Sequence, residues 1–337
     1  MIRFILLFSC CIGLYTTACK KMICGEGPMD RLTTIFKDDT FQLTGVAVSP
    51  QGRVFTNYSL GPSVYKDEII DADGRVSAQA IYADENNYLW VVDPASLKME
   101  NSHKLVKINL ATNAIERTYF FEGVAGAISY VSDVRVDNKL QVAYLTNSGE
   151  GGIIIVDLAT GKAKQVLQDH YSTKSDPEYN LMIDGHELMK NGVPVKIHSD
   201  GIALTPDGDW LYYKPLTDDK LYRIRTGHLR SDTMSNTTLG EKVEDLGHFF
   251  PTDGMIFDAK GNLYLGDVRT NSIKRISPDL KVLNLITDER LIWPGSYSIT
   301  EDGYLYISCS QMHKQSEYNN GVNKRTTPYA IYKLKVF

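Results

Sequence analysis

The chain has 337 residues, 43% of them hydrophobic and 23% charged, which is ordinary globular composition with ample length for a large core. A net charge of -5 argues against nucleic-acid or anionic-membrane binding by a basic face. Tyr is frequent, 20 against 11 Phe, which suits β-strands and polar-lined cavities.

The first element is "MIRFILLFSCCIGLYTTACKK". Arg3 provides a charged start and Phe4 to Tyr15 a short apolar run, too short to span a bilayer. Residues 1–18 therefore read as a signal peptide of lipoprotein type. "TTAC" resembles a bacterial lipobox that would lipidate Cys19, although Thr16 stands where Leu is usual. Plain secretion after cleavage near Ala18 is the alternative. The expectation is an exported protein, anchored by Cys19 on the periplasmic or cell-surface side, or else secreted. Residues 19–30 read as a tether and 31–337 as one domain. Cys24 and Cys309 could pair, but two distant cysteines prove nothing.

Six similar stretches follow, beginning at Thr44, Gln79, Ser132, Ser199, Thr252 and Gly295. Each is an alternating strand, a polar turn and a second strand, the pattern of a β-hairpin. Five share one spacing: Gly45 to Gly52, Ala80 to Asn87, Gly201 to Gly208, Gly254 to Gly261 and Ser296 to Gly303. Third strands follow in most units, as in "KLVKINLA" and "KLYRIRT", and fourth strands at "ERTYFF" and "KVLNLIT". This repeat predicts an all-β, six-bladed β-propeller with mostly four-stranded antiparallel blades. "RLTTIFKD", Arg31 to Asp38, has no hairpin partner and is expected to close the ring on the last blade.

The stretch "HSDGIALTPDGDWLYY" holds two Asp-Gly pairs with different roles. Asp207-Gly208 lies between two strands and is turn chemistry. Asp200 precedes an inner strand, as do Asp133 and Asp253, so three carboxylates are expected at one mouth of the channel. His198 is a candidate acid or base beside Asp200, or a plain rim residue. Asn147 could face the same rim, with Asp93 analogous to it. Trp90 and Trp210 read as core, and Trp293 as either core or channel lining. The insertion "YNLMIDGHELMKNGVPVKIH" is expected to be a lid or a packing flap, with a hairpin at Asn191-Gly192.

The segments "YLWVVDPASLKMENSHKLVKINLATNAIERTYFF", "SDGIALTPDGDWLYYKPLTDDKLYRIRTGHLR" and "LIWPGSYSITEDGYLYISCSQ" resemble the major royal jelly protein/yellow family over about Gln79 to Leu334. The resemblance implies an extracytoplasmic propeller that binds a small molecule, such as an amine, in its tunnel. A more distant likeness is to gluconolactonase/senescence-marker propellers, which hold a divalent metal. It implies Asp200 and Asp253 as metal ligands, with Ca²⁺ the expected ion, and places Asp133 near the substrate contacts. Thr44 stands where those proteins have a Glu ligand, and Thr is a poor ligand for a hard cation. The ligand-binding set is then Asp133, Asp200, Asp253, Asn147 and Trp293, with Asp200 and His198 the catalytic candidates. The readings are a binding propeller, or a lactonase-type hydrolase or tautomerase acting in the same channel. The expected partners are a small ligand and, through Cys19, a membrane; no nucleic acid is expected, and the protein is expected to be a monomer.

Overall fold

A computed structural model describes residues 31–58, 69–71, 74–76, 78–94 and 103–337. The leader, Cys19 and Cys24 lie outside these residues. Leu32–Phe337 form one compact unit.

The strands run in chain order from β1 (Leu32–Asp38) to a first hairpin, β2 (Leu43–Val48) and β3 (Val54–Tyr58). A short pair follows, β4 (Ile69–Asp71) and β5 (Gly74–Val76). The second sheet is β6 (Ala80–Ala83), β7 (Tyr88–Asp93), β8 (Lys104–Asn109) and β9 (Ala114–Phe120). The third is β10 (Val131–Asp137), β11 (Val142–Asn147), β12 (Ile153–Asp157) and β13 (Ala163–Val166). Two small hairpins then form the insertion: β14 (Met182–Ile183) with β15 (His186–Glu187), and β16 (Met189–Lys190) with β17 (Val193–Pro194). The fourth sheet is β18 (Ser199–Leu204), β19 (Trp210–Pro215), β20 (Lys220–Arg225) and β21 (Glu244–His248). The fifth is β22 (Met255–Phe257), β23 (Leu263–Asp267), β24 (Ser272–Ile276) and β25 (Val282–Thr287). The chain ends with β26 (Pro294–Ile299), β27 (Tyr304–Cys309) and β28 (Tyr329–Lys335).

The result is an all-β propeller with five four-stranded antiparallel sheets. The sheet begun by β2 has two strands among the described residues, and β4 pairs only with β5. The inner strands β2, β6, β10, β18, β22 and β26 neighbour one another in that order, and β26 returns to β2. Two bonds fix this junction: the Val46 and Val48 amides donate to Ser296 Oγ and Ser298 Oγ at 3.1 and 3.0 Å. As the unpaired N-terminal segment predicted, β1 adds to the outer edge of β28, with Leu32 opposite Leu334 and Asp38 opposite Tyr329.

The core lies between sheets. Trp90, Leu105 and Phe121 of the second sheet pack on Val134, Leu145 and Ile154 of the third. Tyr144 and Ile153 pack on Ile202, Tyr213 and Tyr222 of the fourth. Trp90 is core as expected, at 1% exposure. Trp210 corrects its expectation: it is only partly buried, with the Arg223 and Arg225 guanidiniums 4.3 and 4.4 Å from its ring. The indole packs at the edge of the cluster between the fourth and fifth sheets, and cation–π contact covers the part left outside.

The turns between first and second strands carry a polar device that alternation alone does not reveal. Asp258 Oδ1 accepts from the Lys260 and Asn262 amides, and Oδ2 from Asn262 Nδ2 and the Tyr264 hydroxyl, at 2.8–3.0 Å. Asp84 repeats the device with the Asn86 and Tyr88 amides and the Trp90 indole. Each carboxylate thus holds a turn and satisfies a buried aromatic donor. Asp258→Ala is expected to cost about 2–4 kcal/mol, because it orphans buried donors. Chemical denaturation checks this, and a cost below about 0.5 kcal/mol would show that water replaces the carboxylate.

Candidate functional site

The two Asp-Gly pairs part company here. Gly208 has φ +78° in its turn, and Asp207 Oδ1 accepts from the Asp209 amide and the Thr205 hydroxyl, so this pair is turn chemistry. Gly201 has no such φ. A Cβ on it would stand 2.3 Å from the Asp253 carbonyl oxygen, and one on Gly254 would stand 2.3 Å from the Gly295 carbonyl. Glycine follows Asp200 and Asp253 because adjacent inner strands approach closely at their entry points. That approach brings the aspartates together.

Asp200 and Asp253 interact side chain to side chain, and Asp133 lies close enough to act on both. They sit deep in the fold, yet all three residues keep partial exposure within the channel. Burial and the Asp253 carboxylate push the Asp200 carboxyl well above its usual range. Burial pushes Asp253 up to about 6, against the lowering influence of the Trp293 indole. Burial also raises Asp133, opposed by Arg135 at 2.9 Å. Lys214, opposite Gly201 in the β18–β19 ladder, is fully enclosed; burial brings its ammonium down to about 8. Its Nζ donates to the Pro215 and Asp218 carbonyls at 2.8 and 2.7 Å, and its charge acts on Asp200.

Trp293 belongs to this group. It is fully buried, and its indole N–H donates to Asp253 Oδ2 at 2.6 Å. Its φ of +57° is an uncommon backbone state for a bulky side chain, costing about 1–3 kcal/mol where it occurs. Such an outlier at a carboxylate cluster fits a geometry held for function.

Two candidates are placed elsewhere. Asn147 is fully enclosed: Oδ1 accepts from the Tyr130 and Glu150 amides, and Nδ2 donates to Ser129, Glu150 and Gln165. It shapes the loop carrying Tyr130 rather than presenting a group to the channel. His198 Nδ1 accepts from the Ser175 amide at 3.0 Å, and burial beside Lys174 brings the imidazole down to about 4. A neutral ring tied to Ser175 anchors the strap entering β18 and is poorly suited as an acid. Asp93 is buried beside Lys104.

Sequence reasoning missed Arg135 and Tyr130. Tyr130 donates to Gln79 Oε1 at 2.5 Å, and burial with Asp200 and Asp253 pushes its phenol upward. Regular alternation alone does not give the Arg135–Asp133 pair, because the β10–β11 register shifts between Val131 and Val134, the interval that holds Asp133.

With this geometry in place, comparison with known proteins is informative. Residues 76–336 match the family "Major royal jelly protein". The chain belongs to that family. Major royal jelly protein 5 of Apis mellifera is 24% identical over 226 residues, 60% of this chain and 35% of that protein. Major royal jelly protein 6 is 23% identical over 278 residues, 72% and 61% respectively. Lactonase drp35 of Staphylococcus epidermidis is 24% identical over 195 residues, 55% and 54%. The chain thus spans between about a third and two thirds of the length of these relatives. Among solved structures, regucalcin from Agrobacterium tumefaciens, described as calcium-binding, superimposes with TM-score 0.51 at 13% identity, covering 90% of this chain and 94% of that one. Virginiamycin B lyase from Staphylococcus aureus, solved with quinupristin, gives 0.52 at 12% identity, covering 91% and 99%. At such identities these likenesses concern the fold.

The metal expectation meets the donor set directly. Ca²⁺ takes 6–8 oxygens. Asp133 is bonded to Arg135, the Thr44 hydroxyl accepts from Asn57, and Asp253 is bonded to Trp293. Among the described residues no group of three or more His, Cys, Asp or Glu is placed to hold a metal. These residues do not fit a calcium cage.

Proposed function

We propose that this protein is an exported, six-bladed propeller of the major royal jelly protein family that binds a small cationic ligand of amine type at the Asp200–Asp253 pair. The observation that carries this reading is the side-chain meeting of Asp200 and Asp253 deep in the fold, with Asp133 nearby but paired to Arg135, where lost hydration raises the cost of the pair's charge. A ligand cation relieves that cost directly, and the Trp293 indole, itself enclosed, holds the Asp253 carboxylate in place for it. The β2–β3 sheet counts as the sixth blade, and Cys19 as the anchor on the exported side of the membrane. A lactonase-type hydrolase is the second reading, favoured by the sequence match to lactonase drp35. It would use a channel carboxylate as base.

Calorimetry with tyramine and with Ca²⁺ separates these possibilities. Wild type is expected to bind tyramine, and Asp200→Asn and Asp253→Asn to weaken binding about tenfold or more, the scale of losing one close charge contact. Binding of Ca²⁺ alone, or tyramine binding unaffected by either substitution, would sink the amine reading. Lactone hydrolysis abolished by Asp200→Asn would favour the second.

A further inference from the structure

The channel has two ends built from different parts. At the end where the inner strands leave, the six first-to-second-strand turns surround a cavity of 790 Å³. Tyr82, Arg135, Leu204, Ile256, Ile299 and Tyr306 are among its lining residues, and none of Asp133, Asp200 and Asp253 is. At the other end, the insertion and the segment after β27 are packed together. Leu181, Ile183 and Leu188 are buried against Trp293, with Met312 and Tyr318 alongside. Lys190 pairs with Glu317 at 2.8 Å, and His313 meets Asp184 at 3.2 Å while stacking on Trp293. A buried apolar cluster tied by these pairs is a cap, and opening it would expose that cluster to water.

Between the two lies Arg135. From β10 of the third sheet its Nη1 bonds Asp133, and its Nη2 donates to the Met255 carbonyl of β22 at 2.6 Å. β22 belongs to the fifth sheet, so the side chain reaches past the inner strand of the fourth into the space between the two groups of residues. Its guanidinium also lies 5.4 Å from the Tyr82 ring of the second sheet.

We propose that Arg135 is a movable septum, and that solutes reach the Asp200–Asp253 compartment from the turn-lined cavity past Arg135, not through the capped end. Its bonds are to one carboxylate and to backbone carbonyls. The side chain can therefore swing into the cavity and let water or an incoming polar group take its place, without disturbing a strand ladder. The route is independent of what occupies the site, so it stands or falls separately from the amine reading.

Substituted-cysteine accessibility tests it. In a full-length chain whose native cysteines are replaced, Asp200→Cys is treated with 2-aminoethyl methanethiosulfonate and the modification rate is followed by mass. Leu204→Trp and Ile299→Trp, on β18 and β26 around the cavity, should each slow modification about tenfold, and Arg135→Met should speed it comparably, as expected for a gated path. Lys190→Ala with Asp184→Ala, which loosens the cap, should leave the rate within about twofold. Two tryptophan variants guard against one that fails to fold, and thermal unfolding identifies such a failure. Faster modification on loosening the cap, with no slowing by a folded tryptophan variant, would overturn the proposal.

Discussion

Deletion of Leu32–Asp38 is expected to leave a chain that aggregates or unfolds far below the wild-type temperature. β1 pairs with β28 from Tyr329 to Leu334, so its loss bares a long row of backbone donors and acceptors on a largely apolar strand. It also removes Leu32, fully buried among Tyr264, Ile273, Leu305 and Leu334. The ring would then be held at that blade by β26–β28 alone. The loss should exceed the roughly 0.5–3 kcal/mol of a point substitution. Phe36→Ala is the control: the side chain is 41% exposed, and its loss should fall within about 0.5 kcal/mol. Thermal unfolding with light scattering reads both. A deletion variant that melts with the wild type would mean that the last blade holds its edge without β1.

The closing strand was legible because an alternating segment stood without a hairpin partner, and strands seek partners. The fixed interval from Gly201 to Gly208 and its counterparts was equally readable, since hairpin length repeats when one supersecondary unit repeats. The convergence of Asp200 and Asp253 was legible by position alone. The reason glycine follows them, contact with the next inner strand, needed the packing of separate blades. Trp293 reaching Asp253 across 40 residues was beyond periodicity for the same reason. Asn147 and His198 looked like rim groups because polar residues near an inner strand read alike in sequence. Their roles follow from the loops they bond, which sequence does not rank. Arg135 was not legible because the strand register shifts beside Asp133, and its reach to the Met255 carbonyl joins separate blades.

Asp253→Asn is expected to stabilise the ligand-free protein at pH 8 while reducing its pH dependence in the mildly acidic range, the remainder being that of Asp200. The folded-state carboxyl lies at about 6 against 3.8 for the ordinary group. The folded protein therefore holds this proton more tightly than the unfolded chain does. The stabilisation is complete below about pH 4 and is lost as pH rises through about 6, with Asp200, shifted in the same direction, extending the loss higher. At pH 8 the wild type thus carries crowded, desolvated charge. Asn removes one charge and retains an oxygen to accept from the Trp293 indole. The gain should be on the order of 1–3 kcal/mol at pH 8, the scale of relieving one desolvated charge, and should vanish near pH 4. A gain of this size would support the binding role proposed for the pair over a packing role. Urea unfolding of both proteins from pH 4 to 9 measures it. If Asp253→Asn is instead less stable at pH 8 and its profile parallels that of the wild type, the carboxylates are fixing loops, and the ligand must be sought in the turn-lined cavity on the far side of Arg135.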